Sequence, residues 1–194
     1  MQHRVNLVVK SRTEWVQAVV HDFDSFLQDH VNCERKASAM AMSFVAKYPD
    51  RLEIIPDLIN TAIEELQHFK EVYSIMRQRN VALPAEMGQD FYIKQLLDFC
   101  RSGRDERFMD RLLIASLVET RGAERFKLVY ENLENIKLKD FYRRLWTSEA
   151  KHGEVFVRMA LKYFEDRYVH ERLEEMAKYE GRVINALPLK PALH

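Results

Sequence analysis

The chain has 194 residues, 30 Lys+Arg set against 30 Asp+Glu, and a hydrophobic share of 47% with only five Gly and five Pro. That composition excludes collagen-like, low-complexity and disordered chains, and zero net charge excludes a nucleic-acid coat that is basic all over. Two cysteines, Cys33 and Cys100, with no CxxC pair argue for a reducing, cytoplasmic setting rather than a disulfide framework.

A first helical stretch opens near Ser11, whose spacing to Glu14 matches a capping box, and runs up to Tyr48 with a bend near residues 21–25. A second helix is expected over 56–79, because Pro56 is tolerated in a first turn. Residues 80–89, with Pro84 and Gly88, read as a loop, and 91–101 as a short apolar helix stopped at Ser102-Gly103. Two more long helices cover about 105–130 and 139–166, and a last one about 171–186. No strand alternation is present, and no apolar run approaches the roughly 18 to 20 residues of a membrane span. The expected fold is all-α: a ferritin-like four-helix bundle with a long crossover between helices two and three and extra short helices. One domain over 1–194 follows, with a core of about 15–183 and an extended tail over 184–194 around Pro188 and Pro191.

Two Glu-x-x-His matches occur, Glu65 to His68 and Glu149 to His152. Glu65 lies 31 residues after Glu34, and Glu149 lies 30 residues after Glu119. Residues equidistant from the tip of an antiparallel helix hairpin sit at one height, and both midpoints fall on predicted turns, at Pro49/Asp50 and at Glu134. Each hairpin therefore sets one Glu level with one Glu-x-x-His. The same-face neighbours of Glu119 are Leu112, Ala115, Ser116, Gly122, Ala123 and Phe126, and Glu34, Glu65 and Glu149 interrupt similar stripes.

Burying unpaired carboxylates costs several kcal/mol each, and no Lys or Arg occupies those same-face positions. Two divalent cations would balance the four acids, with two imidazoles completing the set. Glu and His suit iron or manganese, whereas a structural zinc site more often recruits cysteine. The set Glu34, Glu65, His68, Glu119, Glu149 and His152 resembles the carboxylate-bridged di-iron bundles, which implies two iron ions. His30, one turn before Glu34, is read as a core histidine or a partner of that ligand. Glu64 also lies within reach of His68, but repetition of the Glu149 pattern favours Glu65.

The absence of CxxC pairs argues against a rubrerythrin. Glu34 stands where ribonucleotide reductase small subunits carry Asp, and Ala123 where hydrocarbon monooxygenases carry Thr. The small residues Ala37, Ser38, Ala41, Ala115, Ser116, Gly122 and Ala123 either leave room for an organic substrate and O₂ or mark close helix packing. Residues 30–38 (HVNCERKAS), 64–69 (EELQHF), 119–126 (ETRGAERF) and 148–152 (SEAKH) resemble the bacterial tRNA 2-methylthio-N6-isopentenyladenosine hydroxylases. The likeness spans about 15–183 and includes all six ligand positions, while Gly122-Ala123 departs from the Ser-Cys pair associated with that family.

The resemblance implies an O₂-dependent di-iron monooxygenase that hydroxylates the isopentenyl group of a modified adenosine beside the tRNA anticodon. It also implies electrons from an external reductase, since no flavin or Fe–S motif is present. A neutral protein needs a local basic rim for this, and Arg35, Lys36, Arg101, Arg104, Arg107, Arg121, Arg125, Arg143 and Arg144 are the candidates. Arg143-Arg144 and Lys137/Lys139 also read simply as a charged helix start. Three alternatives stand beside this: a quinone-type di-iron hydroxylase docking to a membrane through the 91–100 helix, an iron-storage subunit, and a helical binding module with a structural metal.

Overall fold

A computed structural model describes residues 5–85 and 90–194; the part of the expected 80–89 loop that holds Gly88 lies outside them. Every regular element among the described residues is helical, in the order α1 (Thr13–His21), α2 (Phe23–Lys47), a 3₁₀ turn (Leu52–Ile54), α3 (Ile55–Gln78), α4 (Phe91–Asp98), α5 (Arg104–Asn132), α6 (Ile136–Leu161) and α7 (Asp166–Ala186). None of these helices is long and apolar enough to cross a membrane.

Local chemistry sets most of the boundaries. The expected bend at 21–25 is a break, where the Asp22 carboxylate accepts from the Ser25 N–H and caps α2. Asn135 Oδ1 accepts from the N–H groups of Lys137 and Leu138 and starts α6 three residues earlier than the periodicity predicts. Pro56 sits in the first turn of α3, and Asn80 leaves that helix at φ 59°, a left-handed conformation that asparagine tolerates.

Three expectations are corrected. Ser11 forms no capping box with Glu14: its N–H and hydroxyl both donate to Glu124, at 2.8 and 2.7 Å. The helix expected to reach Asp166 ends at Leu161, and Asp166 instead opens α7. The chain turns there without Gly or Pro because the rings of Tyr163 and Phe164 anchor on Phe108, at 5.7 and 6.1 Å. Finally, residues 184–186 belong to α7, so the tail begins at Leu187.

The elements divide into two compact units. One holds residues 17–85 and 190–193 and is built on the hairpin of α2 and α3, with Phe26, Leu27, Val31, Phe44, Leu58, Val72 and Met76 in its core. The other holds residues 5–16, 90–189 and 194. It is built on the hairpin of α5 and α6, against which α4 and α7 pack. Its core includes Phe108, Leu112, Phe126, Tyr142, Phe156, Val169 and Met176. Gly181 of α7 lets the amino-terminal segment pass close by, since a Cβ there would stand 2.8 Å from Val9 Cγ2.

Candidate metal centre

The α2–α3 hairpin brings Glu34 level with Glu65 and His68. One ligand atom from each lies within 4.8 Å of the others. His68 Nδ1 is 3.4 Å from Glu65 Oε2 and 3.7 Å from Glu34 Oε2. Both carboxylates are buried, at 3% and 1% exposure. Behind them the wholly buried His30 donates from Nε2 to Glu34 Oε1 at 2.6 Å, which fixes the orientation of that carboxylate. Glu64 is exposed on α3 and is not among the grouped donors.

The α5–α6 hairpin repeats the arrangement. Glu119, Glu149 and His152 are buried, and one ligand atom from each again lies within 4.8 Å of the others. His152 Nδ1 is 3.2 Å from Glu149 Oε2. Each hairpin thus presents two carboxylates and one imidazole.

Short hydrogen bonds hold both pairs of helices close. Ser38, four residues after Glu34, donates its hydroxyl to the carbonyl of Ala62, three residues before Glu65, at 2.8 Å. Ser116, three residues before Glu119, donates to the carbonyl of Gly153, next to His152, at 2.6 Å. A Cβ on Gly153 would stand 2.6 Å from Thr120 Oγ1 and 3.2 Å from the Ser116 carbonyl oxygen. Of the two readings of the small residues, close packing therefore accounts for Ser38 and Ser116. Gly122 is different, because a Cβ there meets only a ring carbon of Phe126, at 4.0 Å.

The donor chemistry fits iron. Ligands about 2.1 Å from one ion and separated by about 90–110° lie about 3 to 3.5 Å apart. The separations of 3.2 and 3.4 Å fall in that range, 3.7 Å lies just beyond it, and the two longest exceed an ordinary hydrogen bond. All six candidate donors are imidazole nitrogens or carboxylate oxygens, the set that suits iron and manganese. Neither cysteine joins them: Cys33 is hydrogen-bonded to Asp29, and burial beside Asp110 pushes the Cys100 thiol up to about 11.

The family model described as tRNA-(MS[2]IO[6]A)-hydroxylase (MiaE) matches residues 2–194. The chain belongs to this family. It is similar to the tRNA 2-(methylsulfanyl)-N(6)-isopentenyladenosine(37) hydroxylase of Pseudomonas putida, at 31% identity over 89% of this chain and 83% of that protein. The Salmonella typhimurium protein of the same name is 27% identical over 72% of this chain and 49% of its own length. Among solved structures, protein 43 with aldehyde deformylating oxygenase activity from Synechococcus superposes with a TM-score of 0.91. That likeness has 28% identity and covers 97% of this chain and 94% of the other, and it bears out the all-helical, ferritin-like fold.

The basic rim expected from the sequence is only partly available. Arg121 is wholly buried, with its guanidinium forked onto Glu180 at 2.8 and 2.9 Å. Arg125 is also buried, 4.5 Å from the Trp15 ring, where burial lowers it to about 10. Arg101 is tied to Asp110 at 2.6 Å. Arg35, Arg104, Arg107, Arg143 and Arg144 remain exposed, and Lys36 is half-buried. The Arg121–Glu180 pair was not visible from the sequence, since its members lie 59 residues apart on different helices.

Proposed function

We infer that this chain is an O₂-dependent di-iron monooxygenase that hydroxylates the isopentenyl group of 2-methylthio-N6-isopentenyladenosine in tRNA. Membership of the MiaE family carries the reading, and the repeated pair of carboxylates and one imidazole supports it chemically. Glu34, Glu65, His68, Glu119, Glu149 and His152 would hold two iron ions, whose charge offsets the four acids. When bound, those ions supply O₂ activation and the redox chemistry of C–H hydroxylation.

The side chains do the rest. His30 keeps one Glu34 oxygen engaged and so leaves the other to face the metal. Ser38 and Ser116 hold the helices of each hairpin at the spacing that lets Glu and His meet. The apolar residues around the six donors exclude water, which favours hydroxylation over unproductive loss of oxidising equivalents. Hydroxylation consumes one O₂, two electrons and two protons, and yields the alcohol and one water. The electrons come from an external donor and the setting is cytoplasmic. An anticodon-loop nucleotide is already single-stranded, so splaying it into a protein is inexpensive.

The test is the nucleoside content of tRNA from a strain lacking this gene, before and after complementation. Loss of the hydroxylated isopentenyl nucleoside, with its unhydroxylated precursor in its place, is expected. Unchanged nucleosides would refute the assignment.

A further inference from the structure

We propose that the outer flank of α6 is the surface that grips the phosphate backbone of the tRNA. The inference rests on the reading of the chain as a tRNA hydroxylase and adds where the polyanion lies. On α6, Lys137, Arg143, Arg144, Lys151 and Arg158 are exposed against one exposed acid, Asp140. The neighbouring helices show no such excess. On α7 the exposed cations Arg167, Lys178 and Arg182 face the exposed acids Asp166, Glu171, Glu174 and Glu175. On α5 three exposed cations meet three exposed acids. In a chain of zero net charge, α6 is the one of these three helices on which exposed cations outnumber exposed acids.

The arrangement is also linear. Lys137, Arg144, Lys151 and Arg158 recur every seven residues, about 10.5 Å apart along the axis, so they form a line roughly 31 Å long. At about 100° per residue, Lys151 points some 160° away from Gly153, the residue that packs on α5. It lies about 130° from the direction shared by Glu149 and His152. The line therefore runs on the flank of α6 turned from α5, past the turn that carries two of the candidate iron ligands. Lys137, Lys151 and Arg158 form no ion pair with a described residue, so a phosphate reaching those three displaces no carboxylate, while Arg144 lies 6.0 Å from the Phe141 ring. A straight row of evenly spaced cations matches a strand whose charge repeats along its length, and the two arginines can each fork onto a phosphate. An acidic electron-transfer protein would ask instead for a compact patch.

The experiment compares two triple variants in the iron-loaded protein, R144Q/K151Q/R158Q on α6 and R167Q/K178Q/R182Q on α7. Each removes three exposed positive charges. Binding of total bacterial tRNA is measured by filter retention from 50 to 200 mM KCl, with helicity and iron content as controls. The α6 variant is expected to bind at least tenfold more weakly at 50 mM salt. Its dependence of log K on log salt should be flatter by roughly 2, about 0.7 for each lost phosphate contact. The α7 variant should stay within about twofold of the parent. Equal weakening by both variants would reduce the effect to overall charge and overturn the proposal. So would an unchanged α6 variant, or one that binds tRNA normally but accepts electrons more slowly from its reductase. A parent protein that binds no tRNA at this salt would overturn the tRNA reading itself, a separate and recognisable failure.

Discussion

Replacing Glu180 by glutamine should destabilise the protein severely while leaving every candidate iron ligand in place. Glu180 and Arg121 are both wholly buried, and the carboxylate accepts two guanidinium N–H bonds at 2.8 and 2.9 Å and the Tyr92 hydroxyl at 2.9 Å. Burial opposes the charge on Arg121, yet the hydrogen bonds and charge of Glu180 outweigh it and hold the guanidinium more firmly protonated than usual. Burial, reinforced by the Glu180 charge, pushes the Tyr92 hydroxyl well above its ordinary range. In the Glu180→Gln variant, the guanidinium keeps only the partly exposed Glu124, at 2.8 Å, as a charged partner, and the new amide NH₂ would point at its donors. Breaking a buried pair in this way costs about 3–5 kcal/mol. For a chain of this size that is a fall of roughly 6–20 °C in Tm. The assay is thermal unfolding followed by circular dichroism at fixed iron loading, since bound metal shifts the midpoint by mass action. A triple change, Arg121→Met with Glu180→Leu and Tyr92→Phe, removes the charges together and should cost less than half as much. A loss under about 1 kcal/mol for Glu180→Gln, or a triple variant as weak as the single one, would refute the claim that this pair is buried and mutually dependent.

Gly153→Ala should cost about 1–3 kcal/mol despite a better helix propensity, because the new methyl meets Thr120 Oγ1 and the Ser116 carbonyl; urea unfolding measures it. Gly122→Ala, which meets nothing closer than 4.0 Å, should instead gain up to about 1 kcal/mol in the same assay. Asp110 governs part of the acid limb. Burial would raise its carboxyl, but hydrogen bonds from Arg101 and Arg172 outweigh this and lower it below the ordinary 3.8. Its contribution is therefore complete above pH 3.8 and is lost as pH falls through the lowered native value, so Asp110→Asn should flatten the fall in stability below pH 4. Glu119→Ala should lower iron bound per chain, read by elemental analysis, and should remove the rise in Tm that added Fe(II) gives the parent protein.

The long helices were legible because their apolar residues keep helical spacing and Pro56 marks the first turn of α3, whereas the caps Asp22 and Asn135 show only in the structure, where α6 begins three residues before its expected start. Both groups of candidate ligands were legible for a geometric reason: equal distances from a hairpin tip translate directly into equal heights. Contacts between distant segments were not. Ser11 and Glu14 satisfy a local capping pattern, but the hydroxyl is claimed by Glu124, 113 residues along the chain. Arg121 and Arg125 look like surface cations in a charged stretch, and nothing local announces that Glu180 and Trp15 cover them. The turn after Leu161 was missed because breakers such as Gly and Pro are absent there, and aromatic anchoring on Phe108 does their work.

The small residues near the candidate ligands acquire a purpose from the reach of the side chains. Glu and His are short relative to the usual 8–10 Å between packed helix axes, so donors from two helices meet only when those axes stay close. A serine hydroxyl bonded to a carbonyl on the facing helix does this directly, because the bond fixes a side chain of one helix against the backbone of the other. In each hairpin that bond lies one turn from a ligand: Ser38 to Ala62 in the first, Ser116 to Gly153 in the second. These polar contacts support the spacing within each hairpin, which places its carboxylates and imidazole close enough together to serve as metal donors. A larger side chain at Gly153 or Ser116 would push the helices apart and separate Glu119 from Glu149 and His152, even though it touched no metal. The residues that a composition count records merely as small therefore matter to each hairpin: they keep its two carboxylates and its imidazole within reach of one another, the arrangement a cation site needs.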